Sequence, residues 1–191
     1  MTKIGIFGGS FDPIHYSHLR IIEQIQESIQ LDEFRVIPCN LPNNSKKNKI
    51  SSNEHRYNML KLALQDKNVI IDTREFEREG VSYTIDTINS FNQEDELFLI
   101  MGDEINFFEE WKDYREIIKR TTLVCAYGRE KPSRRTLLTY NPIICKMNPD
   151  LAISSSIIRD LVSKNKSIKY LTPDNVINYI KEKGLYYENS H

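Results

Sequence analysis

Residues 4–18 read IGIFGGSFDPIHYSH, and this segment predicts how the chain begins to fold. Residues 4–7 are an apolar run that stops at Gly8 and Gly9, whose missing side chains permit a tight turn. From residue 17 to residue 30, apolar side chains then recur at helical spacing. We therefore expect a buried central strand, a tight loop and a helix, in that order.

The alternation of strand and helix continues along the chain. Further strands are predicted at residues 34–37, 69–72, 97–101, 123–127 and 143–146. Further helices are predicted from a capping box at Ser51 and Glu54, at residues 84–91, after the serines at 154–156, and from an N-cap at Thr172 before Pro173. Because parallel neighbours need crossover connections, this order predicts an α/β fold: a Rossmann-like, doubly wound parallel sheet with helices on both faces. Such sheets bind ligands at the carboxyl ends of their strands.

Length and composition describe a globular protein. A chain of 191 residues suits one core better than two, so we expect a single domain over residues 1–191. Hydrophobic residues make up 39% and charged residues 28%, which excludes a disordered chain. The 26 basic and 27 acidic side chains give a formal net charge of -1, so no general attraction to nucleic acid or to an anionic membrane is expected.

The cysteines and the apolar runs indicate where the protein works. Cys39, Cys125 and Cys145 are far apart, and none forms a CxxC motif or lies at metal-ligand spacing from a histidine. The apolar run at the amino terminus is too short for a signal peptide, and no stretch approaches membrane-spanning length. We therefore expect reduced thiols and a cytoplasmic protein.

The loop after the first strand holds residues suited to binding an anion. Gly8 and Gly9 let the backbone approach phosphate oxygens, and the following helix presents free N–H groups. His15 and His18, three residues apart, can donate to the same anion. The loop therefore predicts a phosphate site. Two alternatives are a plain turn with surface or capping histidines, and a metal site, which would need ligands beyond these two.

A second polar segment lies near the carboxyl end. Residues 153–159 read ISSSIIR, with serines at the predicted start of a helix and Arg159 one turn further on. Ser155, Ser156 and Arg159 are suited to contacting the outer phosphates of a nucleotide. The alternative is a plain serine N-cap with a solvated arginine.

Together these segments resemble the HxGH nucleotidyltransferases, and specifically the bacterial nicotinate-nucleotide adenylyltransferases. The first segment matches the pattern GGxFxPxHxGH, the second resembles ISSTxIR, and residues 82–87 match SYTxDT. The resemblance runs from Ile4 to the final helix. It implies a reaction of NAD biosynthesis, in which AMP passes from ATP, with Mg²⁺, to nicotinate mononucleotide, and nicotinate adenine dinucleotide and pyrophosphate are formed.

The resemblance also implies roles for individual residues. The expected catalytic residues are His15, His18, Lys46 and Arg159. Contacts to ATP are expected from Gly8, Gly9, Ser10, Phe11, Ser155, Ser156 and Arg129. For the mononucleotide, the amides of Tyr83 and Thr84 are expected to meet the nicotinate carboxylate, Trp111 to stack on its ring and Asp103 to hold a ribose hydroxyl. The expected partners are these two nucleotides, without nucleic acid, membrane or a metal site made by the protein alone, and a homo-oligomer stays open.

The chain departs from the family pattern at several places. Residues 101–103 read Met-Gly-Asp where the family has Gly-x-Asp, and Ser17 replaces the glycine between the two histidines, a change expected to leave backbone access nearly intact. The family's Pro-Pro-His-Lys run is replaced by Asn-Asn-Ser-Lys-Lys at 43–47, so either Lys46 or Lys47 is the expected phosphate contact. Arg56 and Arg129 stand where the family carries arginines, or are plain surface charges.

Four other functions compete with this interpretation. A phosphopantetheine adenylyltransferase shares the HxGH pattern but usually has threonine in place of His15. A cytidylyltransferase acting on a phosphorylated alcohol would leave the match at 82–87 accidental. A nucleotide-sensing module would keep the histidines without turnover, and a nucleic-acid-binding protein would use the lysines at 46–49 as a basic patch.

Overall fold

A computed structural model describes residues 1–42, 50–128 and 131–187 of the chain. Its strands are β1 (Lys3–Gly9), β2 (Glu33–Pro38), β3 (Ile70–Ile71), β4 (Glu96–Met101), β5 (Thr121–Tyr127) and β6 (Ile143–Lys146). They form one sheet in the order β3-β2-β1-β4-β5-β6, and every neighbouring pair is parallel. The predicted doubly wound parallel sheet is confirmed.

The helices are α1 (Tyr16–Ser28), α2 (Asn53–Leu64), α3 (Thr84–Asn89), α4 (Tyr114–Arg120), α5 (Arg134–Tyr140), α6 (Ser155–Ser163) and α7 (Asp174–Glu182). A 3₁₀ helix spans Asp103–Glu110. The sequence patterns indicated neither this 3₁₀ helix nor α4 and α5, which are seven residues each and too short for a clear period. Among the described residues, no helix is both long and apolar enough to cross a membrane.

Two apolar cores lie on opposite faces of the sheet, because successive strand side chains point to opposite sides. Val36 and Phe98 belong to the first core, whereas their neighbours Ile37 and Leu99 belong to the second. Helices α1, α2, α6 and α7 supply the first core, and α3, α4 and the 3₁₀ helix supply the second. The predicted helices on both faces are therefore confirmed.

The predicted cap of the second helix is wrong by one residue. Ser52, not Ser51, is the N-cap of α2, and its Oγ accepts a hydrogen bond from the His55 amide at 3.3 Å. Ser51 is used elsewhere: its amide donates to Asp12 Oδ2 at 3.2 Å and its carbonyl accepts from Arg56 Nε at 3.1 Å. Two tertiary contacts thus displace the local capping pattern.

The predicted cap of the last helix is also wrong by one residue. Pro173 is the N-cap of α7 and the helix begins at Asp174. The Thr172 hydroxyl is fully buried and donates to the Ile14 carbonyl at 2.7 Å. Thr172 therefore joins the last helix to the loop after β1 instead of capping the helix.

Candidate active site

The loops after β1 and β4, which carry several of the predicted site residues, lie where the strand order changes direction. β1 leads to β2 on one side and neighbours β4 on the other, so the loops after β1 and β4 diverge and leave a crevice at their carboxyl ends. Residues 10–15 follow β1, and Gly102 and Asp103 follow β4. This is the expected ligand position of the fold.

Gly8 and Gly9, before the first loop, differ in the space available for a side chain. A β-carbon at Gly8 would meet nothing within 4 Å, whereas one at Gly9 would lie 3.0 Å from the Phe11 ring. Phe11 has a positive φ of 47° and a ring that is 1% exposed. The ring packs edge-on against Phe7 and His18, with centroids 5.6 and 5.0 Å away. Phe11 therefore packs beneath the loop and has almost no exposed surface of its own.

Arg56 holds this loop from inside the protein. Its side chain is completely buried, and Nη1 donates to the Ser10 carbonyl at 3.0 Å. Nη2 donates to the Asn40 carbonyl at 3.1 Å and to Asn53 Oδ1 at 2.5 Å, and Nε donates to the Ser51 carbonyl. Burial lowers the pKa of the guanidinium, although arginine stays charged. The interpretation of Arg56 as a surface charge is wrong: its side chain joins the loop after β1 to both ends of the connection between β2 and α2.

The two histidines lie against each other at the start of α1. Their rings stack with centroids 3.6 Å apart and an interplanar angle of 19°. The His15 amide donates to His18 Nδ1 at 3.3 Å, so the proton of a neutral His18 ring is assigned to Nε2. His18 therefore presents one N–H donor even without a positive charge.

Burial makes both imidazoles hard to protonate in the free protein. It lowers the pKa of His15 to about 4. Burial, and then the charge of His15, lower the pKa of His18 well below 6.5. A phosphate beside the ring would favour the charged form again.

The second polar segment docks onto the first. Ser154 is the N-cap of α6 and accepts from the Ile157 amide at 3.3 Å. Ser155 Oγ donates to the Pro13 carbonyl at 2.8 Å, across 142 residues of sequence. Ser156 Oγ accepts from Arg159 Nη2 at 3.3 Å. Of the three serines, Ser154 acts as a plain N-cap, whereas Ser155 contacts the loop after β1 and Ser156 contacts Arg159.

Arg159 joins the same loop. Its Nη1 donates to the Asp12 carbonyl at 2.7 Å and lies 4.0 Å from Asp12 Oδ2. The side chain is 24% exposed, so the guanidinium is anchored on one side and reachable on the other. The alternative of a solvated arginine is wrong.

Asp12 is the group that the sequence analysis missed. It is fully buried, and its Oδ1 accepts from the Tyr186 hydroxyl at 2.6 Å while Oδ2 accepts from the Ser51 amide. Burial first, and then Asp12, raise the pKa of Tyr186. An aspartate within a loop of glycine and proline was the one available signal, because its partners lie far away in the sequence.

The residues expected to contact the nicotinate ring and its carboxylate lie on the face of the sheet that carries the second core. Tyr83 precedes α3 as its N-cap, and Thr84 is the first residue of that helix. Tyr83 and Trp111 both pack against the second core. Lys112 Nζ lies 4.5 Å from the centroid of the Tyr83 ring, which places Tyr83 beside the segment that carries Trp111. The Trp111 ring is half-buried and meets Phe108 edge-on at 5.3 Å.

A cavity of about 380 Å³ opens beside the start of α1, next to the ends of β4 and β5. This volume is within the usual range for a small-molecule site. Asp103 and Gly102 line the cavity after β4, Gly128 lines it after β5, and Ser17 lines it from α1. A larger cavity, about 740 Å³, lies at the opposite edge of the sheet and contains none of the predicted site residues.

Three of the predicted phosphate contacts lie outside the described residues: Lys46, its alternative Lys47, and Arg129. Within the described ranges, no group of three or more histidine, cysteine, aspartate or glutamate side chains is placed to hold a metal ion.

Comparison with known proteins places this geometry in context. The cytidylyltransferase-like family model matches residues 6–161. A protein named "Probable nicotinate-nucleotide adenylyltransferase" from Geobacillus kaustophilus is 39% identical over 97% of this chain and 87% of its own length. A protein of the same name from Enterococcus faecalis is 39% identical over 96% of this chain and 84% of its own.

Solved structures show the same fold. Plasmodium falciparum nicotinic acid mononucleotide adenylyltransferase complexed with NaAD superposes with a TM-score of 0.83 at 21% identity, covering 97% of this chain and 98% of that one. The same enzyme complexed with APC gives a TM-score of 0.81 at 22% identity and the same coverage. At these identities the likeness is one of fold.

Proposed function

Because the chain belongs to the cytidylyltransferase-like family, and within it to the nicotinate-nucleotide adenylyltransferases, we propose that it transfers AMP from ATP to nicotinate mononucleotide. The products are nicotinate adenine dinucleotide and pyrophosphate. The observation that carries the proposal is the contact between the two polar segments. Ser155 and Arg159 bind the Asp12–Pro13 backbone beside the stacked histidines, in the crevice where such sheets bind ligands.

The reaction needs no nucleophile from the protein. A phosphate oxygen of nicotinate mononucleotide attacks the α-phosphorus of ATP, and a new P–O bond forms. The bond from that phosphorus to the oxygen bridging the α- and β-phosphates breaks, and the electron pair leaves with pyrophosphate. Catalysis then consists of aligning two anions and stabilising charge on the α-phosphate and on the leaving group.

His18 and Arg159 are placed to stabilise that charge. His18 offers its Nε2–H, and Arg159 offers the part of its guanidinium that Asp12 and Ser156 do not occupy. His15 supports the His18 ring by stacking and by its amide hydrogen bond. Gly8 leaves open space for a phosphate oxygen beside the backbone. Lys46 remains a prediction for a further phosphate contact.

The cavity lined by Ser17, Asp103 and Gly128 suits the nucleoside part of ATP. Ser17 in its lining directly precedes His18, so the cavity lies next to the histidine pair. Mg²⁺ would enter with ATP, held mainly by phosphate oxygens and water. The described residues fit this role, since they offer exposed Asp103 near the crevice but no closed set of metal ligands.

The nicotinate half fits the opposite wall of the crevice. Trp111 offers an aromatic surface for a planar ring, and the amides at the start of α3 offer donors for a carboxylate. Asp103 begins the 3₁₀ helix that follows β4 and is exposed, so it can accept from a ribose hydroxyl. In Met101-Gly102-Asp103 the glycine directly precedes the aspartate, unlike the Gly-x-Asp of the family. Met101 is buried at the end of β4, and Gly102 is the N-cap of the 3₁₀ helix.

The proposal is tested by pyrophosphate release from Mg-ATP. Nicotinate mononucleotide, nicotinamide mononucleotide and phosphopantetheine are supplied separately, and His18→Ala serves as the catalytic control. We expect release with nicotinate mononucleotide and its loss in the variant or on chelation of the metal. Pyrophosphate release with phosphopantetheine alone would identify phosphopantetheine as the substrate in place of nicotinate mononucleotide. ATP binding without turnover would favour the nucleotide-sensing module.

A further inference from the structure

One face of α1 is polar and contacts the chain between β6 and α6. Ser17, Arg20 and Gln24 are spaced three and four residues apart, so they lie on the same side of the helix. All three bind backbone atoms of residues 146–153. We call these three side chains the polar seam.

Ser17 makes the most specific contact of the seam. Its hydroxyl donates to the Leu151 carbonyl and accepts from the Ile153 amide at 3.3 Å, across more than 130 residues of sequence. The same Ile153 amide also donates to the Leu151 carbonyl at 2.8 Å, which closes a tight turn. One hydroxyl thus holds both ends of the turn that directly precedes Ser154, the N-cap of α6.

The other two members hold the chain just upstream. Arg20 donates to the Asn148 carbonyl through Nε at 3.1 Å and through Nη2 at 2.7 Å. Gln24 Oε1 accepts from the Asn148 amide at 2.9 Å, and its amide nitrogen donates to the Lys146 carbonyl. These contacts are solvent-exposed and the Ser17 contacts are partly buried, so Ser17 carries the larger share of the positioning.

The segment that Ser17 holds is a wall of the 380 Å³ cavity. Leu151 and Ile153 line that cavity together with Ser17, and Gly102 and Gly128 line it after β4 and β5. If the turn at 151–153 moved, the width of the cavity would change, whereas Ser155 and Arg159 on α6 would keep their own hydrogen bonds to the loop after β1. The wall is therefore fixed by a side chain that directly precedes His18.

We propose that Ser17 is a positioning residue for nucleotide binding: its hydroxyl fixes the turn at 151–153 as the wall against which the nucleoside part of ATP packs. The inference rests on the proposed function and assigns to this site a contact that a glycine at position 17 cannot make. The replacement of glycine was expected to leave backbone access nearly intact. The structure shows that the added hydroxyl is bonded to the adjoining wall of the cavity.

The test compares Ser17→Ala and Ser17→Gly with Ser28→Ala. Ser28 is a matched control, since it lies on α1 and its hydroxyl bonds only to the Gln24 carbonyl within the same helix, at 2.7 Å. For each variant we would measure kcat, the KM for ATP, the KM for nicotinate mononucleotide, and the Kd of a non-hydrolysable ATP analogue by calorimetry. Loss of one positioning hydrogen bond should raise the KM for ATP and the Kd of the analogue by about three- to tenfold in both Ser17 variants.

The other constants separate positioning from general damage. We expect kcat and the KM for nicotinate mononucleotide to change by less than about twofold, and Ser28→Ala to match the wild type. The proposal would be overturned if Ser17→Ala kept the wild-type KM for ATP and Kd of the analogue while Ser17→Gly changed them, because the hydroxyl would then be irrelevant. Equal changes in all constants would overturn it too. If the wild type failed to use nicotinate mononucleotide, only the proposed function would fall, and calorimetry with the ATP analogue would still decide the role of Ser17.

Discussion

The hydroxyl of Tyr186 lies 2.6 Å from Asp12 Oδ1, although the two residues are 174 positions apart. Asp12 belongs to the loop that follows β1, and Tyr186 follows the last helix of the chain. Because the Asp12 carbonyl also binds Arg159, this hydrogen bond connects the carboxyl-terminal segment with the proposed phosphate site. The segment that follows α7 therefore helps to hold the loop of the proposed phosphate site in place.

Removing this hydroxyl should destabilise the protein. Tyr186→Phe keeps the ring but leaves a buried oxygen of Asp12 with one donor fewer, so we expect the free energy of unfolding to fall by about 1 to 3 kcal/mol. Tyr187→Phe is the control, since Tyr187 is the adjacent, more exposed tyrosine. Urea titration of both variants measures the difference. Equal stability of the two would show that the Asp12 contact contributes little.

Arg56 should contribute strongly to stability although it does not face the ligand. Arg56→Met leaves the carbonyls of Ser10, Asn40 and Ser51 without their donor. We expect the free energy of unfolding to fall by about 3 kcal/mol or more. Arg115→Met is the matched control, because Arg115 is exposed and its guanidinium lies against its neighbour Tyr114. Thermal unfolding of both variants checks this, and a Tm for Arg56→Met equal to that of the control would contradict it.

Burial of His15 should make stability depend on pH. Its folded pKa of about 4 lies below the ordinary 6.5, so the unfolded chain binds the proton more readily. The contribution is therefore fully present above pH 6.5 and is lost as the pH falls toward 4, by up to about 3 kcal/mol. Urea unfolding of the wild type and of His15→Asn between pH 7 and pH 4 measures it. We expect a smaller loss in the variant, and the same loss in both would count against the burial argument.

His18 should act in the transition state more than in binding. His18→Ala removes an N–H donor beside the proposed phosphate position, and loss of one such preorganised donor typically lowers kcat by about 10² to 10³. The KM values should change much less, since the substrates keep their other contacts. Steady-state kinetics measures both, with circular dichroism to verify folding. A folded variant with the kcat of the wild type would exclude His18 from catalysis.

The strands were predictable because their signals are local, whereas the use of both polar segments in one site was expected from the family pattern that they resemble. The apolar runs that give β1, β4 and β5 stand within a few residues, and the pattern around Ser155 and Arg159 matches a known family. The roles of Asp12 and Arg56 were not predictable, because burial of a charged side chain depends on partners far away in the sequence. For the same reason Ser51 and Thr172, which resemble caps locally, turned out to serve tertiary contacts.

Trp111 should contribute mainly to binding of the mononucleotide. Trp111→Ala removes the aromatic surface proposed to stack on the nicotinate ring, and stacking of a base on an aromatic side chain is worth about 1 to 3 kcal/mol. The KM for nicotinate mononucleotide should therefore rise by about fivefold to a hundredfold, while the KM for ATP stays near the wild-type value. Phe107→Ala is the control, because Phe107 lies on the 3₁₀ helix that Trp111 caps and is 63% exposed. Since Trp111 also packs on Phe108, Trp111→Phe separates stacking from packing: it retains an aromatic ring and should recover part of the affinity. Equal increases in both KM values, or an effect of Phe107→Ala as large as that of Trp111→Ala, would show that the substitution disturbs the segment as a whole and that Trp111 does not form the nicotinate site.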